Sequence, residues 1–106
     1  MRKKLQVLVA AMHQEDLSLA EKMNIGCSAV IANQADREEI TGCEFENGTV
    51  KMITTKTRGV GLNRNIALFA SDAELLLFAD DDMVYVDGYA DIIERAFEEN
   101  PRADVI

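Results

Sequence analysis

Three consecutive carboxylates, Asp80, Asp81 and Asp82, follow directly after an apolar run that begins at Leu75. A short apolar run bounded by polar residues is typical of a strand buried on both faces of a parallel sheet, and ligands bind such sheets at the carboxyl ends of the strands. Three adjacent carboxylates repel one another by about 1 kcal/mol per pair in water, so the arrangement predicts a bound cation. Oxygen ligands favour Mg²⁺ or Mn²⁺; the alternative is a solvated acidic turn.

The chain's local concentration of positive charge, at residues 56–65, comes shortly before this acidic run. Its two glycines let backbone amides approach a ligand, a helix is predicted to begin near Gly61 or Leu62, and Arg58 and Arg64 can fork onto phosphate oxygens. The segment therefore favours a diphosphate site. The alternative is ordinary loop chemistry before a helix, since the pattern is neither a P-loop nor the dinucleotide fingerprint.

Apolar residues at helical spacing predict which face of that helix packs on the core. They are Leu62, Ile66, Phe69 and Ala70. This phase places Arg64 and Asn65 on other sides of the helix, so at least one of them is expected to face the carboxyl edge of the sheet.

Two further apolar runs, Leu5–Ala11 and Cys27–Asn33, predict buried strands. Between them a helix of about ten residues is expected, with Asp16 as its N-cap. A strand, a helix and a strand at this spacing predict a right-handed parallel crossover. The fold class is therefore α/β, with a three-layer, open, mostly parallel sheet and helices on both faces.

Polar residues follow each of these strands. Asn33, Gln34 and Asp36 close the second strand, where they either bond a nucleobase edge or make a turn. His13, the only histidine, lies just past the first strand, where a ligand could reach it; the alternative is a structural role.

The remaining elements are a hairpin, a strand and a helix. An Asn47-Gly48 turn predicts two short strands within residues 37–48, and Val50–Thr55 predicts another strand. Asp87 is expected to cap the last helix, which Asn100-Pro101 ends. Its predicted core stripe consists of Tyr89, Ile92, Ile93, Ala96 and Phe97. Residues 103–106 begin what reads as another strand, so the sequence is expected to be the front part of a longer enzyme or a shortened form of one.

Composition narrows the classes of partner. The 106 residues carry a net charge of −8, which argues against nonspecific binding to nucleic acid or to an anionic membrane. No apolar run reaches the length of a membrane span and the N-terminus does not resemble a signal peptide, so a cytoplasmic location is expected. Cys27 and Cys43 lack metal-site spacing and are expected to be reduced thiols, with Cys27 buried.

In order and spacing, these segments resemble the nucleotide-binding half of a GT-A glycosyltransferase of the family 2 type. The resemblance rests on RGVGLNRNIALFAS, in which Arg64-Asn65 opens a helix, and on LLLFADDDMVYVDGY, in which Asp80 to Asp82 is similar to that family's DxD motif. It implies that residues 1–106 form the nucleotide-sugar-binding part of the domain, incomplete at the C-terminus.

The resemblance also implies roles for single residues. Asp80 would bond the ribose, Asp82 would hold the Mn²⁺ or Mg²⁺ that bridges the diphosphate, and Asp80 is the second candidate metal ligand. Arg64 would lie near the phosphates, and Asn65, Asp81, Asn33 and Asp36 are the other candidate nucleotide-binding residues. The general base is expected beyond Ile106, and the acceptor would be a glycan or a lipid-linked glycan.

Two other classes of function stay open. One is a noncatalytic nucleotide-binding or assembly module, for which an unpaired sheet edge and an uncovered apolar face predict a homodimer. The other is a receiver or phosphoryl-transfer domain. That class gathers acids from at least two strands, whereas the first strand here ends in Ala11-Met12-His13.

Overall fold

The computed structural model describes residues 4–45 and 47–102 of the chain. In the described residues the elements are β1 (Leu5–Met12), α1 (Leu19–Lys22), β2 (Ser28–Gln34), β3 (Glu39–Phe45), β4 (Gly48–Thr55), α2 (Val60–Phe69), β5 (Leu75–Asp80) and α3 (Tyr89–Glu99). The strands form one sheet in the order β3-β4-β2-β1-β5. β4, β2, β1 and β5 run parallel to one another, and β3 runs antiparallel to β4. The expected α/β class with a mostly parallel sheet is confirmed.

The central strands β1 and β2 are buried almost throughout, which accounts for their near-continuous apolar sequences. Alternate side chains serve two separate core clusters. Val7, Val9 and Ile31 belong to a cluster that includes residues of α1 and α3. Leu8 and Val30 belong to the other cluster, which includes residues of α2. Each helix therefore has an apolar surface of the sheet to pack against.

The first helix is much shorter than predicted. α1 has four residues, and Ser18, not Asp16, occupies its N-cap position. Asp16 instead accepts a hydrogen bond from the backbone amide of Ser18 at 2.9 Å and makes a turn. Hydrogen bonding by the side chain and the backbone amide of Ser18 lowers the pKa of the Asp16 carboxyl. The prediction of a ten-residue helix was wrong because this turn uses the residues that would have formed its first turn.

The predicted excursion after β2 is one strand rather than two. β3 is a seven-residue strand that pairs with β4, in the register Cys43↔Val50 and Phe45↔Gly48. Gly48 has a φ of 152° and stands where an added Cβ would lie 2.2 Å from the Ser28 hydroxyl. The backbone nitrogen of Ser28 on β2 would also lie only 2.9 Å from that Cβ, so the close approach of β2 together with the positive φ requires glycine at this position.

The helix α2 is rotated relative to the predicted phase. Leu62 and Phe69 are 48% and 89% exposed, so their assignment to the core face was wrong. Ala67 is buried and Ile66 packs against the second core cluster. Asn63 is also buried and fixes this rotation through hydrogen bonds to strand carbonyls.

Strand β5 was predicted to be buried on both faces, and this is wrong for one face. Leu75 and Ala79 are buried, whereas Leu76 and Phe78 are 36% and 47% exposed. In the described residues β5 is an edge strand of the sheet. α2 packs over β1 and β2, so the side of β5 that carries Phe78 has less cover.

The helix α3 has a different cap and a narrower core face than predicted. Gly88, in the left-handed region at φ 82°, occupies its N-cap position. The Asp87 carboxylate instead accepts a hydrogen bond from the Asn24 amide at 2.7 Å. Ile92 is 61% exposed, so its core assignment was wrong, whereas Tyr89 is buried.

Two further predictions concern the ends of the chain and the thiols. The strand predicted at residues 103–106 lies outside the described residues. Cys27 is buried and Cys43 exposed, and both are free. Among the residues that the structure describes, no helix is both long and apolar enough to cross a membrane.

Candidate functional site

The parallel register brings the ends of four strands to one edge of the sheet. Ala10 of β1 pairs with Asp80, the last residue of β5. Met12 pairs with Gln34 of β2, and Gln34 in turn pairs with Thr55 of β4. The loops that follow these strands therefore start from one edge, where ligands of open α/β sheets bind.

Arg64 and the acidic run meet at this edge. The Arg64 Nη2 lies 3.3 Å from the Asp80 Oδ1, and the two side chains are 48% and 58% exposed. Asp81 is half-buried and Asp82 is exposed. The predicted proximity of arginine and carboxylate is thus present for Asp80. Asn65, the next residue of α2, is exposed.

Asn63 is a site-forming residue that the sequence interpretation missed. Its side chain is 2% exposed, and its Nδ2 donates to the carbonyls of Ala32 at 2.7 Å and Ala11 at 3.2 Å. These carbonyls lie near the ends of β2 and β1, so Asn63 holds the first turns of α2 over the sheet edge. A usable signal was its i, i+3, i+4 spacing with Ile66 and Ala67.

The start of α2 has the features of an anion-binding helix terminus. Gly59 occupies the N-cap position with φ 109°, no side chain caps the helix, and its first turn carries no acidic residue. Its first amides therefore have no side-chain acceptor, and the helix dipole adds positive potential there. The Gln34 side-chain amide donates to the Gly59 carbonyl at 2.9 Å and fixes this loop to β2.

Arg58 was predicted to bind phosphate oxygens, but in the structure its donors are used by the protein. Its Nη1 donates to the carbonyls of Ala35, Lys56 and Thr57. Its Nη2 lies 2.9 Å from Asp36 Oδ1. Arg58 therefore joins the loop after β2 to the loop before α2, and Asp36, although exposed, is part of this bridge.

Asn33 is enclosed rather than open to a ligand. It is fully buried, and its Oδ1 accepts a hydrogen bond from the backbone N–H of Gln14 at 3.0 Å. Its Nδ2 donates to the Gln14 carbonyl and the Thr54 hydroxyl. This geometry does not support direct nucleotide binding by Asn33. The residue instead fixes the loop that leaves β1, which turns sharply because His13 has a φ of 56°.

A small cavity lies beside these loops. Its volume is about 280 Å³, and it is lined by His13, Glu15, Ala35, Asp36 and Arg37. The Arg37 Nη2 donates to the carbonyls of Gln14 and Glu15, so its wall is held by backbone contacts. The volume is close to the lower limit for small-molecule sites. The loops after β1 and β2 thus enclose a space at the predicted ligand edge.

The acidic run brings carboxylate oxygens, the kind of donor that Mg²⁺ prefers, to the carboxyl edge of the sheet. Within residues 4–45 and 47–102, no three His, Cys, Asp or Glu side chains are arranged to hold a metal ion by themselves. Mg²⁺ is commonly held by one or two carboxylates and completes its shell with water and phosphate oxygens. Asp80 and Asp82 supply carboxylates of this kind, both of them open to solvent.

The cysteines lie away from this edge, and the structure gives their chemistry. Burial raises the pKa of the Cys27 thiol, and the nearby Glu94 adds to this, although a hydrogen bond with the Tyr89 hydroxyl partly opposes it. The sulfur lies 3.4 Å from that hydroxyl. A buried thiol with a raised pKa is a poor nucleophile. The surroundings of Cys27 therefore favour a structural role over a reactive one.

Comparison of the chain with protein-family models, with curated proteins and with solved structures finds no match.

Proposed function

We propose that this chain is the nucleotide-sugar-binding part of a GT-A glycosyltransferase of the family 2 type, in which a three-layer, Rossmann-like sheet binds a nucleoside-diphosphate sugar with Mn²⁺ or Mg²⁺. The sugar would pass to a glycan or lipid-linked glycan acceptor in the cytoplasm. The observation that carries the proposal is the 3.3 Å approach of Arg64 to Asp80 at the carboxyl edge of the sheet.

Three features at that edge match the charges of a metal-bound diphosphate. Asp80 and Asp82 offer oxygen ligands to a divalent ion. The uncapped start of α2 and the guanidinium of Arg64 offer donors to phosphate oxygens. The cavity lined by His13 and Asp36 lies on the same edge and suits the base or ribose.

The chemistry then follows from charge. As the sugar leaves, negative charge develops on the diphosphate, and a divalent ion held by Asp80 and Asp82 would neutralise that charge as a Lewis acid. Arg64 and the α2 amides stabilise the same charge from the protein side. Asn63 and Gln34 keep these groups in place through their bonds to strand and loop carbonyls.

Calorimetric titration with UDP- and GDP-sugars, with and without Mn²⁺, tests the proposal. We expect binding that needs the metal, that Asp82→Ala abolishes and that Asp81→Ala weakens less. Glu44→Gln is the matched control, since it removes one negative charge from an exposed position on β3. Binding that is unchanged by metal chelation would refute the proposal and favour a noncatalytic module.

One observation favours an assembly role as a second candidate. Leu76 and Phe78 are exposed on the edge strand β5, and Ile40 is exposed on β3 at the other edge. Exposed apolar edge strands promote pairing with another chain. Sedimentation measurements across protein concentration test the predicted homodimer, and a monomer at all concentrations would remove this candidate.

A further inference from the structure

Arg64 is a cation that contacts Asp80, so it pairs with one of the two carboxylate oxygens that Asp80 offers to a metal ion. The contact joins Nη2 to Oδ1 at 3.3 Å. A divalent ion bound to Asp80 would stand next to the guanidinium, and like charges at such a distance repel. Arg64 therefore competes with a metal that arrives alone.

The guanidinium can leave Asp80 without disturbing the fold. The Arg64 side chain is 48% exposed and bonds only Asp80 among the side-chain contacts that the structure describes. The helix that carries it stays fixed, because Asn63 bonds the carbonyls of Ala11 and Ala32. A change of partner by Arg64 thus needs rotation of one side chain and no movement of α2.

Arg58, the other arginine of residues 56–65, has no such freedom. Arg58 donates to three backbone carbonyls and to Asp36. Releasing it would leave those carbonyls without their donor and would separate two loops. Arg64 is therefore the arginine of this segment that is placed to exchange one anion for another.

We propose that Arg64 is a resident counter-ion that transfers from Asp80 to the diphosphate when metal and nucleotide bind together, so that the site holds the metal alone weakly and the metal–nucleotide pair cooperatively. This inference rests on the proposed function. A diphosphate gives the guanidinium paired oxygens in the geometry that suits its fork. Its departure frees Asp80 for the metal, so each ligand favours the other.

The consequence is a variant with effects of opposite sign. Arg64→Gln removes the competing cation, so we expect Mn²⁺ alone to bind more tightly by up to about fivefold, the upper range of an exposed ion pair. The same variant loses a phosphate contact, so UDP or GDP should bind about tenfold more weakly at saturating Mn²⁺. A residue that only supports the fold would weaken both.

The experiment measures the two bindings separately. Free Mn²⁺ is followed by electron paramagnetic resonance without nucleotide, and UDP and GDP are titrated calorimetrically with Mn²⁺ present. Arg95→Gln is the matched control, because it removes the same charge from an exposed position on α3 and should change neither constant. Arg64→Lys keeps the charge and loses the fork, so it should leave Mn²⁺ binding weak and still weaken nucleotide binding.

The outcomes separate this inference from the function on which it rests. If the unaltered chain shows no Mn²⁺-dependent binding of UDP or GDP, the proposed function fails and the inference fails with it. If the unaltered chain binds them but Arg64→Gln weakens or leaves unchanged the binding of Mn²⁺ alone, only the inference is overturned. Thermal unfolding of Arg64→Gln is expected within about 3 °C of the unaltered chain, which excludes misfolding as the cause.

Discussion

Replacing Asn63 by Ala should destabilise the chain, because its amide is the contact that sets the rotation of α2. The substitution removes hydrogen bonds to the carbonyls of Ala32 and Ala11. The two lost bonds together cost about 2 kcal/mol net, and leaving buried carbonyls without their donor costs about 1 kcal/mol more. The substitution also removes the Asn63 Oδ1, which is buried without a hydrogen-bond partner. Because a buried unpaired acceptor is unfavourable, this lowers the loss of stability by about 1 kcal/mol. The net expected loss is about 2 kcal/mol.

The matched control is Asn65→Ala, the same substitution two positions along the same helix at an exposed site. Alanine is a better helix former than asparagine by roughly 0.5 kcal/mol, and this gain is common to both variants. The difference between the two variants therefore isolates the buried contacts. For a domain of this size, 2 kcal/mol corresponds to a melting temperature about 8–15 °C lower.

Urea unfolding followed by circular dichroism gives the free energy of unfolding of each variant. We expect Asn63→Ala to unfold at about 1 M lower urea than Asn65→Ala, with the same slope. A difference below about 0.5 kcal/mol would be within the ordinary variation of surface substitutions. That result would refute the assignment of Asn63 as the anchor of α2.

Three further changes test other contacts. The backbone amide of Leu5 donates to the buried Glu94 carboxylate at 2.8 Å. Glu94→Gln keeps an acceptor for this amide and Glu94→Ala does not, so the free energy of unfolding in urea should be about 1–3 kcal/mol lower for Glu94→Ala than for Glu94→Gln. Equal free energies for the two variants would contradict this. Iodoacetamide should alkylate the exposed Cys43 well before the buried Cys27, whose thiol pKa is raised by burial. Mass spectrometry of digests taken over time gives the order of alkylation, and earlier alkylation of Cys27 would contradict the prediction. Phe78→Thr should lower any self-association seen by sedimentation, because it removes exposed apolar surface from edge strand β5; unchanged association would place the contact elsewhere.

The strands were predictable from sequence because burial on two faces leaves a local signature. β1 extends one residue beyond its predicted end, and β2 begins and ends one residue later than predicted. The start of β5 at Leu75 is confirmed. The position of the acidic run past a strand end follows from the same signature. A parallel register then brings Asp80 to the edge where β1 ends, as the prediction required.

The errors concern properties that depend on distant residues. Asp87 has the local features of a helix cap, but its carboxylate bonds Asn24, which lies 63 positions earlier in the chain. Leu62 and Phe69 have the local spacing of a core face, but Asn63 rotates the helix by bonding strand ends. Ile92 and Phe78 are apolar, yet their exposure depends on which surfaces other elements cover. A periodic pattern gives the spacing of a face and leaves its partner undetermined.

The overall charge of the chain bears on how an anionic ligand reaches this edge. With 19 acidic and 11 basic residues, the field at long range repels a nucleotide, and repulsion of this kind slows association at low salt. Arg58 is held by carbonyls and Asp36, so it contributes little free donor capacity. A divalent ion lowers the charge of the nucleotide that it accompanies, and this reduces the repulsion. If the proposed function holds, UDP that arrives with Mn²⁺ should meet little of this repulsion. Its stopped-flow association rate with Mn²⁺ present should therefore change little between about 0.01 M and 0.15 M salt, where the screening lengths are roughly 30 Å and 8 Å, and a rate that rises steeply with salt would contradict this reasoning.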